Sequence, residues 1–305
     1  MSKYRTWNSR IIVLALGALM MAGSVNAQVI SKADEAILRA KLLTAREQHF
    51  DTLPIGERVA AVGKLFLGTP YVAGTLDTIP NSEKLIVNLH GFDCVTFYET
   101  SLALARSLDL PPSDGFFRQL TLLRYRNGGL NGYASRLHYT TDYFFNGEQK
   151  NVLFNITRNI GGDLVHKDTR TINFMTQHRS FYKQLASDST FAEIQSIEAS
   201  IHSIGGYYYI PKEDVAKIES KIRSGDILGI TTNIPGLDCS HTGIAVRMPD
   251  GRIHFMHASS LKGKVIVSDE PLAEYLTHSS HQTGIIVARP LEVAGRMKSK
   301  SHLLK

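Results

Sequence analysis

The stretch Leu89-His90-Gly91-Phe92-Asp93-Cys94-Val95-Thr96-Phe97-Tyr98-Glu99 constrains this chain most. An apolar run from Lys84 to Leu89 ends in a glycine turn. Asp93 then supplies a good helix N-cap, and Cys94 opens a helix with apolar Val95, Tyr98, Leu102 and Ala105. A thiol in a first helical turn feels the positive end of the dipole and the unpaired amides there. Both favour the thiolate. The same amides can donate to an oxyanion forming beside the sulfur. Cys94 is therefore the candidate nucleophile, and later parts of the chain must supply its base.

Composition limits what surrounds this stretch. The 305 residues are 43% hydrophobic and 20% charged, as expected for one domain with insertions. Residues 1–27 read as a signal peptide. Lys3, Arg5 and Arg10 are its basic region, Ile11 to Ala22 its apolar region, and Val25-Asn26-Ala27 the small-x-small cleavage signal. The expected product is an exported, periplasmic or secreted chain, a monomer without a membrane span, its catalytic domain covering residues 28–295. The formal charge is +6; removing three basic and no acidic residues leaves +3, and four basic residues crowd the tail at 296–305. The body is nearly neutral, which excludes a nucleic-acid footprint. Two cysteines, Cys94 and Cys239, remain. In an oxidising compartment they are candidates for one disulfide, against which the helix-start position of Cys94 argues.

In chain order, Ser31 to His49 and Ile55 to Leu67 are predicted helices, the second ending at Gly68. Leu67 to Gly74 is a loop fixed by Pro70. From about 109 to 206 the pattern is short helical or irregular pieces, including Phe116 to Arg126 and Phe191 to His202, read as an insertion packed on the core. After Gly205-Gly206 the character changes to short Ile- and Val-rich runs: 226–232, 241–247, 253–258, 264–267 and 284–288. Helices first and an antiparallel sheet afterwards predict an α+β fold.

The sheet carries the candidate base. Alternation from Cys239 places Cys239, His241, Gly243 and Ala245 on one face, with Gly243 and Ala245 leaving room there for the Cys94 helix. The Pro249-Asp250-Gly251 turn makes a hairpin whose second strand puts Ile253, Phe255 and His257 on one face. His241 and His257 then become cross-strand neighbours. One imidazole can take the Cys94 proton while the other holds its ring in the right tautomer. His254 points the other way and is assigned a structural role. A zinc site from His241, His257, Asp238 and Cys239 lacks any supporting ligand spacing, so neither metal nor other cofactor is expected.

These segments resemble the NlpC-type cell-wall cysteine hydrolases, a superfamily with a papain-like core. The likeness rests on Gly68-Thr69-Pro70-Tyr71 with Gly74, Asp93-Cys94, Gly225-Asp226-Ile227, His241-Thr242-Gly243-Ile244 and His257-Ala258-Ser259, in that order. The usual Asp-Cys-Ser-Gly is here Asp-Cys-Val-Thr, and about a hundred residues intervene where typical members have few. With Arg124 to Gly128 and Arg136-Leu137-His138-Tyr139, these departures resemble an N-acetylmuramoyl-L-alanine amidase-like subfamily. The resemblance implies a helical insertion on a papain-like core, and hydrolysis of the bond between the muramic acid lactyl group and L-alanine in peptidoglycan or anhydro-muropeptides. It implies Cys94 as nucleophile, His241 as base and His257 as orienting group. Tyr71 is implied as an oxyanion donor or substrate contact, or else a core aromatic. Arg136, His138 and Tyr139 are candidates for gripping sugar or stem-peptide carboxylates, or else a polar network within the insertion. The rivals are an endopeptidase cutting within the stem peptide, a non-catalytic peptidoglycan-binding protein, and a transglutaminase-like acyltransferase.

Overall fold

The computed structural model describes residues 28–79, 82–110 and 115–294; the signal peptide and the basic tail lie outside them. Two short strands, β1 (Gln28–Ile30) and β2 (Leu85–Val87), pair in parallel away from the main sheet. Between them run α1 (Lys32–Glu47) and α2 (Ile55–Lys64). The Ser31 hydroxyl accepts from the Asp34 amide and starts α1. The helix ends before the expected His49 because that residue takes a left-handed φ of 55°. The nucleophile helix is α3 (Cys94–Ser107), followed by α4 (Gly115–Arg124), α5 (Thr140–Gln149), β3 (Leu153–Asn155), α6 (Thr157–Gly161), β4 (His166–Asp168), α7 (Phe174–Gln177) and α8 (Asp188–Ser203). Then come β5 (Tyr207–Pro211), α9 (Val215–Ile218), β6 (Ile227–Thr232), β7 (Cys239–Arg247), β8 (Ile253–Ser259), β9 (Lys264–Pro271), α10 (Leu272–Tyr275) and β10 (Gln282–Pro290).

The eight-stranded sheet runs β4-β5-β10-β6-β7-β8-β9, with β3 also on β10, and every pairing in it is antiparallel. The predicted α+β class holds at this level, but the 109–206 region is not simply packed on the core. Its β3 pairs with the end of β10 and its β4 extends the sheet through β5. Three-residue strands give no readable alternation, so they were invisible in the sequence.

The second departure is that the sheet is covered on both sides. On one face Ile244, Val246, Met256 and Ala258 join Phe97, Tyr98 and Leu102 of α3 in one apolar cluster. On the other, Ile230, Ala245, Ile253 and Phe255 join Val215 and Ile218 of α9 and Leu272 beside Phe255's sheet face. Every residue of β6 and β8 is buried, which explains their continuous apolar runs. Along its length the nucleophile helix thus packs on the Ile244 face, not the His241 face that alternation suggested, while its first residue, Cys94, reaches Thr242, the chain neighbour of His241. Gly243 serves a different neighbour: a Cβ there would lie 2.7 Å from the Phe255 ring.

The Gly225-Asp226 pair joins the helical and sheet halves. Gly225 has φ +87°, and a Cβ on it would lie 1.8 Å from the Gly56 carbonyl of α2. Asp226 receives Arg289 through both oxygens at 2.8 and 2.7 Å, and the Arg223 amide at 2.9 Å. Gly225→Ala combines a left-handed alanine with a backbone clash. It should cost about 3 kcal/mol or more, read as a lower denaturant midpoint with unchanged slope.

Candidate active site around Cys94

The local sequence fixes Cys94 through its neighbours. The Asp93 carboxylate accepts from the Thr96 amide at 2.7 Å, and Thr96 Oγ1 accepts from the Asp93 amide at 3.0 Å, a closed capping box. Phe92 and Phe97 meet edge-on at 6.1 Å across the first turn, which fixes the angle at which the chain enters α3. The Thr69-Pro70-Tyr71 loop is stitched to the same turn. Phe92 N donates to Pro70 O at 3.0 Å and Val72 N to Phe92 O at 2.9 Å. Gly91 permits this approach, since a Cβ there would meet Val72 at 2.4 Å. Tyr71 is consequently held beside Cys94. After burial, the charges of Cys94 and Asp93 are what raise its phenol pKa.

The expected lowered thiol pKa is not what the site provides. Cys94 is half-buried as a residue, and its thiol is pushed up to about 11, first by burial and then by the Asp93 carboxylate. Hydrogen bonds from the Thr242 side chain and backbone and from the Cys94 amide pull it back only in part. The cap that starts the helix also places a negative charge next to the sulfur. Thr242 reaches the thiol because β7 and β8 separate there: their pairing runs from Arg247↔Ile253 only to Ile244↔Met256. The Thr242 hydroxyl is buried and has no conventional partner apart from this sulfur.

The two histidines meet as expected. His241 Nε2 and His257 Nδ1 lie 2.6 Å apart with rings at 88°. His257 stacks on Phe255 at 4.5 Å and meets Tyr275 of α10 edge-on at 5.4 Å. Burial lowers His241 to about 4; burial and then His241 lower His257 to about 3. Both rings are neutral near pH 7, and their shared contact uses Nε2 of His241. Tyr275 also feels the Cys94 charge, after burial and a hydrogen bond from Gln282. Tyr275, Thr242 and Gln282 were not singled out from sequence. Thr242 was legible as the neighbour of His241; Tyr275 lies in a four-residue helix with no pattern to flag it.

Cys239 departs from the alternation. A bulge between Ile230 and Thr231 pairs Thr231 with Cys239, turning Cys239 to the face of Ile244 rather than of His241. Both cysteines are free thiols. Among the described residues no group of three or more His, Cys, Asp or Glu side chains is arranged to hold a metal ion. His254 is tied to Ser268 O at 2.8 Å and Asp250 at 2.9 Å, in a structural role.

The candidate gripping residues of the insertion are engaged elsewhere. Arg136 Nη2 lies 2.8 Å from both Asp77 and Glu83, with its guanidinium 4.8 Å from the Tyr133 ring. Tyr139 is 3% exposed; its hydroxyl donates to Glu198 at 2.7 Å and accepts from the Met175 amide. His138 leans on Tyr133 with Nε2 3.2 Å from its carbonyl, and burial followed by Arg136 lowers it to about 3. These contacts match the polar-network alternative, and they do not converge on Cys94.

With this geometry in hand, comparison with known proteins defines the class. Residues 61–285 match the family AmiA-like, N-acetylmuramoyl-L-alanine amidase-like, and the chain belongs to that family. A solved N-acetylmuramoyl-L-alanine amidase from Bacteroides uniformis is 37% identical with TM-score 0.72, over 78% of this chain and 99% of that one. A proposed xylanase from Bacteroides fragilis is 36% identical with TM-score 0.66, over 74% and 98%. A Legionella pneumophila protein at 22% identity and TM-score 0.63, over 85% and 94%, shares the fold. No curated protein matches.

Two outcomes follow from the electrostatics. Asp93→Asn keeps a capping side chain and removes the charge, so the Cys94 pKa should fall, seen as faster iodoacetamide alkylation near pH 8. Asp93→Ala should instead cost about 1 kcal/mol of stability. His138, His241 and His257 have folded pKa values below the unfolded 6.5, so the unfolded chain binds more protons between about pH 6.5 and 3. Their contribution is present above pH 6.5 and lost as pH falls through about 4 to 3. The Ser268 carbonyl and Asp250 outweigh burial and raise His254, a partial offset. The melting temperature should therefore decline as pH drops from 6.5 to 4.

Proposed function

We propose that this chain is a cysteine amidase hydrolysing the N-acetylmuramoyl-L-alanine bond of peptidoglycan or (anhydro-)muropeptides, on an NlpC-type, papain-like plan. The observation that carries the reading is the 2.6 Å His241–His257 contact on the hairpin whose next residue, Thr242, holds the Cys94 thiol. The family membership and the Bacteroides uniformis amidase support the bond.

The starting pair is neutral. His241 Nε2–H donates to His257 Nδ1, which leaves His241 Nδ1 with the lone pair that accepts the Cys94 proton as the sulfur attacks the lactyl carbonyl carbon. The carbonyl oxygen becomes an oxyanion facing the Cys94 amide, with Tyr71 as a further donor. Collapse breaks the C–N bond. His241 returns its proton to the departing L-alanine amine, leaving a thioester between Cys94 and the lactyl group. His241 then deprotonates a water that hydrolyses the thioester, and the thiol is restored. His257 stabilises the imidazolium formed in each half. No cofactor enters these steps. The chain acts as an exported monomer once residues 1–27 are removed. Among the described residues no helix is long and apolar enough to cross a membrane.

Cys94→Ala and Cys94→Ser should abolish hydrolysis of defined muropeptides with the melt retained, and His241→Ala should lower kcat by about 1,000-fold. Mass spectrometry should find free sugar and intact stem peptide, with full activity in EDTA. A sugar still carrying L-alanine would identify the endopeptidase instead. Protonating His241 removes the base, so kcat/KM should fall as pH drops through about 4 rather than 6.5.

A further inference from the structure

When the imidazole pair accepts a proton it becomes a cation inside the protein, and no carboxylate answers that charge. Burial alone acts on His241, and burial followed by His241 acts on His257. Glu270 of β9 reaches the Tyr275 phenol but neither imidazole. His257 is 2% exposed, so water does not supply the missing solvation. A positive charge created there must be met by groups already in contact with the rings.

Those groups are aromatic. Phe255, two residues before His257 on β8, is fully buried and stacks on it, with ring centroids 4.5 Å apart and planes 16° apart. It also meets His241 edge-on at 5.5 Å. Tyr275 of α10 touches both members of the stack, Phe255 at 5.2 Å and His257 at 5.4 Å, and Gln282 of β10 holds its hydroxyl. The ring's place is specific: a Cβ on Gly243 of β7 would lie 2.7 Å from Phe255. A cation lying on an aromatic face within about 6 Å of the ring centre is attracted by the ring's quadrupole, most strongly where water is excluded.

We propose that Phe255, braced by Tyr275, takes the place of a carboxylate in this site: its ring face stabilises the imidazolium that the His241–His257 pair forms when Cys94 gives up its proton. Phe255 is then a positioning residue acting through His257, and the assignment rests on the cysteine–imidazole reading of the site. The proton passes from Cys94 Sγ to His241 Nδ1. One positive charge is then shared across the 2.6 Å contact between His241 Nε2 and His257 Nδ1, and the phenyl ring carries no proton itself. Because the ring attracts the charged pair more than the neutral one, its contribution appears in the transition state and not in the resting enzyme.

The test follows alkylation of Cys94 by iodoacetamide in the full chain across neutral and alkaline pH, a reaction that needs no substrate. Near neutral pH the reactive thiolate is paired with the imidazolium; at the alkaline end hydroxide removes the thiol proton and the imidazoles stay neutral. Phe255→Leu should slow the neutral-pH rate about tenfold and leave the alkaline rate unchanged. Mono-, di- and trifluorophenylalanine in place of Phe255 keep the ring's shape while withdrawing negative potential from its face. They should slow the neutral-pH rate in graded steps with the melt retained, which keeps the test open if Phe255→Leu fails to fold. A flat fluorinated series at neutral pH overturns the proposal, as does a Phe255→Leu loss of equal size at both ends of the pH range. If alkylation follows the series but no form hydrolyses muropeptides, the amidase reading fails and the ring's role stands. Muropeptide hydrolysis with a flat series leaves the amidase reading standing and removes the ring's role.

Discussion

The closed capping box between Asp93 and Thr96 is the contact on which the candidate site depends. It ends the extended chain, starts α3 and points the Cys94 sulfur at the place where β7 and β8 part. The Phe92–Phe97 contact and the Pro70–Phe92 hydrogen bond hold the same turn from outside, so Tyr71 arrives with it. The arrangement has an electrostatic cost. Burial opposes ionisation of the thiol most, and the carboxylate that satisfies the helix amides adds to it. The helix dipole argument for a resting thiolate is outweighed by burial together with a carboxylate one residue away.

The consequence is a resting state in which thiol and imidazoles are all neutral. A buried pair of rings lowered to about 4 and 3 is fully unprotonated at pH 7, which suits a base that must accept a proton during attack. The environment that keeps His257 in place is aromatic: Phe255 on one side, Tyr275 on another, and Gly243 vacating the space that Phe255 fills. The second sheet face, covered by α9 and α10, is therefore part of the site and not merely support for it.

Much of this was legible. The N-cap and helix start were written in Asp93-Cys94-Val95-Thr96, the hairpin in Pro249-Asp250-Gly251, and the meeting of His241 with His257 in simple alternation. The same alternation misplaced Cys239, because a bulge adds one residue and flips everything before it. It also put α3 on the wrong face: small residues at Gly243 and Ala245 mark close packing but not by which partner. Within the insertion, β3 and β4 were too short to read. Arg136 and Tyr139 looked like ligand contacts because buried ion pairs and ligand sites draw on the same residue types. Only their partners, Asp77, Glu83 and Glu198, tell them apart.

The most direct measurement is acid-quenched intact-protein mass spectrometry during turnover of a defined anhydro-muropeptide, with the adduct mapped by digestion. The account predicts a transient adduct on Cys94 with the mass of the sugar-lactyl acyl group and none of the peptide. An adduct carrying peptide on Cys94, an adduct on another residue, or turnover with no covalent species on a chain lacking the Cys94 thiol would contradict it.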